Sequence, residues 1–245
     1  HTHKVQLLNT LEEKIELLSD EGIDHLVVTP FDEAFAEQSA EGYIKDFLVQ
    51  RINPHTIIIG YDHRFGKNRE GNYLMLEQYA ETLGFVVKEI SEKVLNEVAV
   101  SSTRIRKALL VGDVETANTL LGYDYFFEGN VIEGNQLGRT LGYPTANIAI
   151  KNHEKLIPGN GVYAVKIKIG EYCFKGMMNI GFRPTVDGSR LAIEVNIFDF
   201  DRDIYHTTIR VYVKYFLRAE QKFSGLNALK AQLARDKEMA TQKLI

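Results

Sequence analysis

The sequence predicts a chain of two parts, an α/β half running to about Gly122 and a mainly antiparallel β half closed by one helix. Three observations predict it. Up to Gly122, helical patterns alternate with short continuous apolar runs, as the strands of a parallel sheet covered on both faces require. After Tyr123 the texture changes to period-two alternation with Gly-rich turns and no intervening helices, which favours a barrel or a sandwich. From Leu226 to about Leu244, apolar residues recur at helical spacing.

Thr10-Leu-Glu-Glu13 is a capping box, with Leu11, Ile15 and Leu18 on one helical face and Gly22 closing the helix. A short apolar run, His25 to Thr29, is the first strand expected. A helix from about Ala40 to Arg51, a strand over Thr56 to Ile59, a helix from about Glu70 to Leu83 and a strand from Phe85 to Glu89 continue the alternation. Two short helices follow, Ser102 to Leu110 and one opened by Asp113 and closed by Gly122. The expected strands of the second half are Phe126 to Glu133, Gly161 to Ile169, Tyr172 to Ile180, Leu191 to Phe200 and Ile204 to Tyr215. Leu226, Leu229, Leu233 and Met239 are the predicted stripe of the last helix. The domain boundary falls near Gly122, giving domains 1–122 and 123–245.

The 245 residues carry 29 Lys plus Arg against 33 Asp plus Glu, a net charge of −4, which offers no basic face for a polyanion. Nucleic acid is therefore not an expected partner. Cys173 stands alone, so neither a disulfide scaffold nor a zinc site of paired cysteines fits. No apolar run approaches the length that crosses a bilayer, and a cytoplasmic location without a membrane partner is expected. His25, His55, His63, His153 and His206 form no spacing of a metal site.

The stretch with the most chemistry is Gly134-Asn-Gln-Leu-Gly138-Arg139-Thr140-Leu-Gly142-Tyr-Pro144-Thr145-Ala-Asn147. Glycines permit a tight path with exposed amides that can surround phosphate oxygens, and a Thr hydroxyl with an Asn carboxamide supplies hard oxygen ligands for Mg²⁺. On local composition it is equally a Gly-rich turn with a Pro-stiffened exit.

That stretch closely resembles the signature loop of riboflavin kinases. The resemblance implies ATP and Mg²⁺ at this loop, through Gly134, Gly138, Arg139, Thr140, Gly142 and Pro144, with Thr145 and Asn147 at the metal. Gly176-Met-Met-Asn-Ile-Gly-Phe-Arg-Pro-Thr185 and Ile193-Glu-Val-Asn-Ile-Phe-Asp-Phe200 look like the next two strands of such kinases, in the same order. The family's base then maps to Glu194. By alternation alone Glu194 is a carboxylate on a polar strand face, since Ile193, Val195 and Ile197 take the other. The resemblance also puts Asn196 on the flavin side, and Arg218, in Leu217-Arg-Ala-Glu-Gln-Lys-Phe223, either at the flavin phosphate or paired with Glu220.

Two motifs mark the first half: Gly60-Tyr-Asp62-His-Arg64-Phe-Gly-Lys-Asn-Arg69 at a strand end, and Ser101-Ser102-Thr103-Arg-Ile-Arg106 opening a helix. Strand C-termini and helix N-termini are where α/β folds bind anions, although Ser101 or Ser102 also reads as a plain N-cap. Both motifs resemble those of the nucleotidyltransferases that make FAD from FMN and ATP. The whole chain thereby resembles the prokaryotic bifunctional riboflavin kinase/FMN adenylyltransferases. That resemblance implies a Rossmann-like nucleotidyltransferase domain, then a kinase barrel with a C-terminal helix. It makes riboflavin, FMN, FAD and ATP substrates or products. It also places Gly60, Asp62, Arg64, Arg69, Ser101, Ser102, Thr103 and Arg106 at a nucleotide. The family's opening strand and Gly-x-Phe-Asp-Gly-x-His-x-Gly-His loop do not occur here. A chain lacking its N-terminal part is expected ahead of a true short form, because a sheet without its first strand exposes an apolar edge. Rival readings are a kinase with a binding remnant, a non-catalytic flavin-binding module and an RNA-binding barrel.

Overall fold

A computed structural model of the chain describes residues 6–91, 100–134, 137–185 and 188–245. The chain divides into two compact units, one of residues 1–20 with 101–245 and one of residues 21–100. These cut the chain elsewhere than the expected boundary at Gly122, because the helices before and after the smaller unit pack with the β half.

In the smaller unit, short helices α2 (Glu33–Ala36) and α3 (Ala40–Gly42) lead into a π-helix, Tyr43–Ile52. Strands β1 (Thr56–Gly60) and β2 (Val86–Ile90) pair in parallel, joined by helix α4 (Tyr73–Leu83) with Asn72 as its N-cap. Parallel pairing needs such a crossover, and the expected strand–helix–strand order is observed here. Ile44, Ile59, Phe65, Leu76 and Phe85 form its core. The run His25 to Thr29 is not a strand, contrary to expectation. It has no ladder partner among the described residues, and Val27 and Val28 are exposed. An apolar run becomes a strand only beside a neighbour that accepts its hydrogen bonds.

In the larger unit, β3 (Phe126–Ile132), β4 (Ala146–Ile150), β5 (Gly161–Ile169), β6 (Tyr172–Thr185), β7 (Gly188–Ile197) and β8 (Thr208–Arg218) close a barrel. Their order is β3-β4-β7-β6-β5-β8, with every pairing antiparallel. Alternation decides what points inward. Val131, Ile148, Val165, Ile167, Met178, Ile180, Ile193 and Val195 fill the interior, leaving Asn179, Glu194 and Asn196 on the outer face. Strand β4 lay hidden in the Gly-rich loop and was not expected. Strand β8 begins later than predicted, and β6 is longer.

Helices α5 (Ser102–Leu110) and α6 (Val114–Leu121) add Ile105, Leu109, Val114 and Ala117 to the same core. Asn118 joins them to the barrel edge, donating from Nδ2 to Val213 O at 2.9 Å and accepting from Tyr125 N at 2.8 Å.

The capping box of α1 (Leu11–Asp20) forms as expected, Thr10 N donating to Glu13 at 2.9 Å. Its buried residue, however, is Glu13, while Leu11 and Ile15 are about half exposed. Lys155 explains this. Its ammonium donates to Glu13 Oε2 at 2.6 Å and to Leu8 O at 2.6 Å, and lies 4.5 Å from the Tyr125 ring centroid. Burial pushes the Lys155 ammonium below the usual lysine range, with Glu13 opposing that shift.

Helix α8 (Leu226–Lys243) covers the outer face of β5, β6 and β8, burying Ala164, Met177, Ala240 and Leu244 between them. Leu226, part of the predicted stripe, is instead 59% exposed, and Asp236 is fully buried in its place.

Candidate active site

The loop between β3 and β4 is built by close approaches. Its residues Asn135 and Gln136 lie outside the described residues. A short helix, α7 (Leu137–Thr140), turns so that Tyr143 N donates to Gly138 O at 2.8 Å, with Gly142 at φ +84°. Only glycine adopts that conformation without strain. A methyl group on Gly134 would run into the Asn147 carboxamide, so glycine here leaves the space that the carboxamide occupies. Asn147 stands opposite Glu194 in the β4–β7 register, which puts the two side chains on one face about 5 Å apart at Cβ.

On the outer face of the barrel, under α8 and the segment after β8, lies a cavity of about 320 Å³. It brings together Gly138, Thr145, Glu194, Asn196 and Arg218 of the expected residues. Met177, Phe223, Leu229 and Leu233 give it an apolar side. A second cavity of about 320 Å³ opens beside it, lined by Arg139, Pro144, Thr145 and the Asp201-Arg202-Asp203 segment, with Val131, Val195 and Ile197 at its base. Thr145 lines both cavities. Gly142 and Thr140 lie in the connecting turn.

Two expected residues are tied into the fold. Asn196 is buried and donates from Nδ2 to Pro144 O at 2.7 Å, pinning the loop's exit to β7. Arg218 does not pair with Glu220. It makes a fork onto Asp236 of α8, Nε to Oδ1 at 2.9 Å and Nη2 to Oδ2 at 2.7 Å, and Gln232 also donates to Asp236. A fully buried carboxylate requires such a partner. Glu220 accepts from Asn179 at 3.1 Å instead. Sequence reasoning missed Asp236 because a carboxylate at helical spacing normally faces water, and it missed Arg183, which lines the cavity and ion-pairs with Glu194.

The first-half motifs fall in different units. In the smaller one, Gly60 ends β1, His63 N returns to Gly60 O at 3.0 Å, and the Arg64 guanidinium donates to His63 O at 3.0 Å. Asp62 is exposed, and Arg69 holds φ +59°, a conformation rare outside glycine. In the larger unit, Ser101 is the N-cap of α5, accepting from Arg104 N at 3.2 Å, as the plain reading has it. Ser102 and Thr103 form the exposed first turn, and Arg106 donates to Gln6 O at 2.8 Å.

The antiparallel barrel with its C-terminal helix fits a riboflavin kinase domain. The riboflavin kinase model covers residues 121–244, and the FAD synthetase model covers residues 1–104. The chain therefore carries the sequence of a flavin-nucleotide enzyme in both halves. Its relatives include the bifunctional riboflavin kinase/FMN adenylyltransferase of Haemophilus influenzae, 40% identical over 95% of this chain and 75% of that protein. The enzyme of the same name from Escherichia coli K12 is 38% identical over 96% and 75%. A crystal structure from Streptococcus pneumoniae, described as a macrolide-efflux protein, superposes with a TM-score of 0.85 at 33% identity. It covers 96% of this chain and 75% of that one. No helix among the described residues here is long and apolar enough to cross a membrane. The chain belongs to the bifunctional riboflavin kinase/FMN adenylyltransferase family.

Proposed function

We propose that residues 123–245 phosphorylate riboflavin with ATP to give FMN and ADP, and that the region 1–122 serves adenylylation of FMN with a second ATP, giving FAD and pyrophosphate. The observation that carries the kinase assignment is Thr145 in the wall of both cavities. Phosphoryl transfer needs an acceptor and a donor that meet at one point, and little else beyond alignment and charge stabilisation. The cavity with Met177, Phe223 and Leu233 suits the flat apolar ring of the flavin, with the ribityl chain running toward Glu194. The neighbouring cavity, with Arg139 and Arg202, suits the nucleotide.

In this reading the ribityl 5′-hydroxyl attacks the γ-phosphorus, and the bond from that phosphorus to the β,γ-bridging oxygen breaks, releasing ADP. Glu194 accepts the hydroxyl proton as the new P–O bond forms, because a primary alcohol is too weak an acid to ionise first. Among the described residues no three His, Cys, Asp or Glu gather to hold a metal. Mg²⁺ would accordingly be held by the hard oxygens of Thr145 and Asn147 together with nucleotide phosphates, the habit of this ion. When bound, it neutralises charge on the transferred group. Asn196 and Arg218 act on the flavin indirectly, by fixing the loop and α8 that wall its cavity.

For the first half, the parallel β1–β2 pair and the FAD synthetase match support a Rossmann-like nucleotidyltransferase fold, with Gly60, Asp62, Arg64 and Arg69 as nucleotide contacts of the smaller unit; Ser101, Ser102, Thr103 and Arg106 are the nucleotide contacts assigned within the larger unit. A cytoplasmic setting suits its ATP substrate.

Chromatographic product analysis tests the assignment. The chain mixed with riboflavin, ATP and Mg²⁺ yields FMN, and chelation of the metal abolishes the product; no FMN from folded protein overturns the kinase assignment. FAD accumulating after FMN supports the second step. Gly134→Ala, by displacing the Asn147 carboxamide, lowers the FMN rate about 100-fold while the melting curve shifts little, since a misplaced group of about 1 Å costs that much. An unchanged rate would separate Asn147 from the reaction.

A further inference from the structure

In the cavity assigned to the flavin, most polar side chains are engaged with the protein itself. Asn196 donates to Pro144 O, Arg218 and Asp236 hold each other, and Arg183 is paired with Glu194. Asn179 differs. It lines the same cavity from strand β6, half-buried, and its only side-chain hydrogen bond among the described residues runs from Nδ2 to Glu220 Oε1 at 3.1 Å.

That bond fixes which way the carboxamide faces. An ionised carboxylate only accepts, so the amide nitrogen turns to Glu220, and Oδ1 with the second N–H is left for a ligand. The place of Glu220 is itself built into β6. A methyl group on Gly181, two residues along the strand and on the same face as Asn179, would overlap the Glu220 carboxylate. Glycine there admits the carboxylate beside Asn179.

Register supplies the other half of the argument. Asn179 stands directly opposite Glu194 in the β6–β7 pairing, which puts their Cβ atoms about 5 Å apart on the outer face. In the proposed reaction Glu194 meets the 5′-hydroxyl of the ribityl chain, and the next hydroxyl along that chain is the 4′. A carboxamide alongside the carboxylate therefore falls beside it. A hydroxyl both donates and accepts, which matches Oδ1 and the remaining N–H. Gln221 lines the cavity too, but from the exposed segment after β8 and without a side-chain hydrogen bond among the described residues to orient it.

We infer that Asn179, turned by Glu220, reads the 4′-hydroxyl of the ribityl chain, so that this site selects flavins whose polyol is intact next to the phosphorylated carbon. Asn179 is then a specificity residue and Glu220 its positioning residue. This rests on the kinase reading of the cavity, with Glu194 at the 5′-hydroxyl.

The test gives the whole chain, with ATP and Mg²⁺, either riboflavin, 4′-deoxyriboflavin or 2′-deoxyriboflavin, all of which keep the 5′-hydroxyl, and separates the phosphorylated flavins by chromatography. In the wild type, kcat/KM for riboflavin exceeds that for the 4′-deoxy analogue by about tenfold or more, because the analogue leaves the carboxamide unmet, while the 2′-deoxy analogue stays within about threefold of riboflavin. Asn179→Ala lowers kcat/KM for riboflavin and leaves the 4′-deoxy value nearly unchanged, so their ratio approaches one. Glu220→Ala, in the exposed segment, lets the carboxamide turn and lowers the ratio about threefold. A wild type that treats riboflavin and the 4′-deoxy analogue alike, or that discriminates at the 2′ position instead, overturns the inference and leaves the kinase reading standing. An Asn179→Ala enzyme that slows both substrates equally does the same, since that is how a merely structural residue behaves. Should Asn179→Ala not fold, Glu220→Ala decides, and a ratio unchanged from wild type overturns the inference. Folded wild type that phosphorylates none of the three flavins overturns the kinase reading and the inference with it.

Discussion

Glu194→Gln lowers kcat for FMN formation about 1,000-fold, the range that one positioned general base supplies. The substitution keeps the size and the hydrogen-bonding shape of the side chain. Its neighbours Ile193 and Val195 point into the barrel and are untouched, so the thermal melt follows that of the wild type. Steady-state FMN production, read by chromatography, checks the rate. KM for riboflavin stays within a few-fold, because the carboxylate acts on the proton in flight more than on the bound ring. A loss of less than about tenfold would leave Glu194 as the polar-face carboxylate that strand alternation alone suggested, and would remove the base from the reaction.

The second large effect is on stability. Lys155→Ala destabilises the larger unit by about 3–5 kcal/mol, because it strands the buried Glu13 carboxylate without its ammonium and leaves Leu8 O without a donor. Urea unfolding followed by circular dichroism reads the loss. The double variant Lys155→Met with Glu13→Leu recovers most of it, since apolar side chains of similar volume replace a buried ion pair at little cost. A single variant within about 1 kcal/mol of the wild type would mean that water reaches Glu13 and that α1 is held mainly by Arg210, which forks onto Glu16 at 2.5 Å.

These two residues differ in how far the sequence announced them. Glu194 stood in a period-two strand inside a motif, and the β4–β7 register sets it opposite Asn147. Lys155 stood in a polar stretch, Lys151 to Lys155, with nothing to mark it. Its role follows from residues 8 and 13, far away along the chain, which meet its ammonium beside the Tyr125 ring. The same division runs through the helices. The caps of α1, α5 and α6 are local hydrogen bonds, and each was legible in three or four consecutive residues. The faces they bury were not: α1 buries Glu13 and α8 buries Asp236, each because a distant Lys or Arg meets it there.

Strands show the limit from the other side. The barrel strands alternate because one face meets the interior, and most were legible for that reason. Strand β4 was hidden among glycines, and the apolar run His25 to Thr29 is irregular, because pairing depends on what lies alongside.

Local pattern thus carried the two-part plan and the barrel with its closing helix, which rest on spacings of a few residues where sterics and hydrogen bonds between near neighbours dominate. The Gly134–Asn147 loop and Glu194 stood out through their resemblance to riboflavin kinase motifs, since local pattern alone left a Gly-rich turn and a polar-face carboxylate. The shared wall at Thr145, the Asp236 anchor of Arg218 and the Arg183–Glu194 pair came only from folding. Each joins side chains that sequence separates and packing brings within a few ångströms, where desolvation makes an ion pair's partner matter more than its place in the chain.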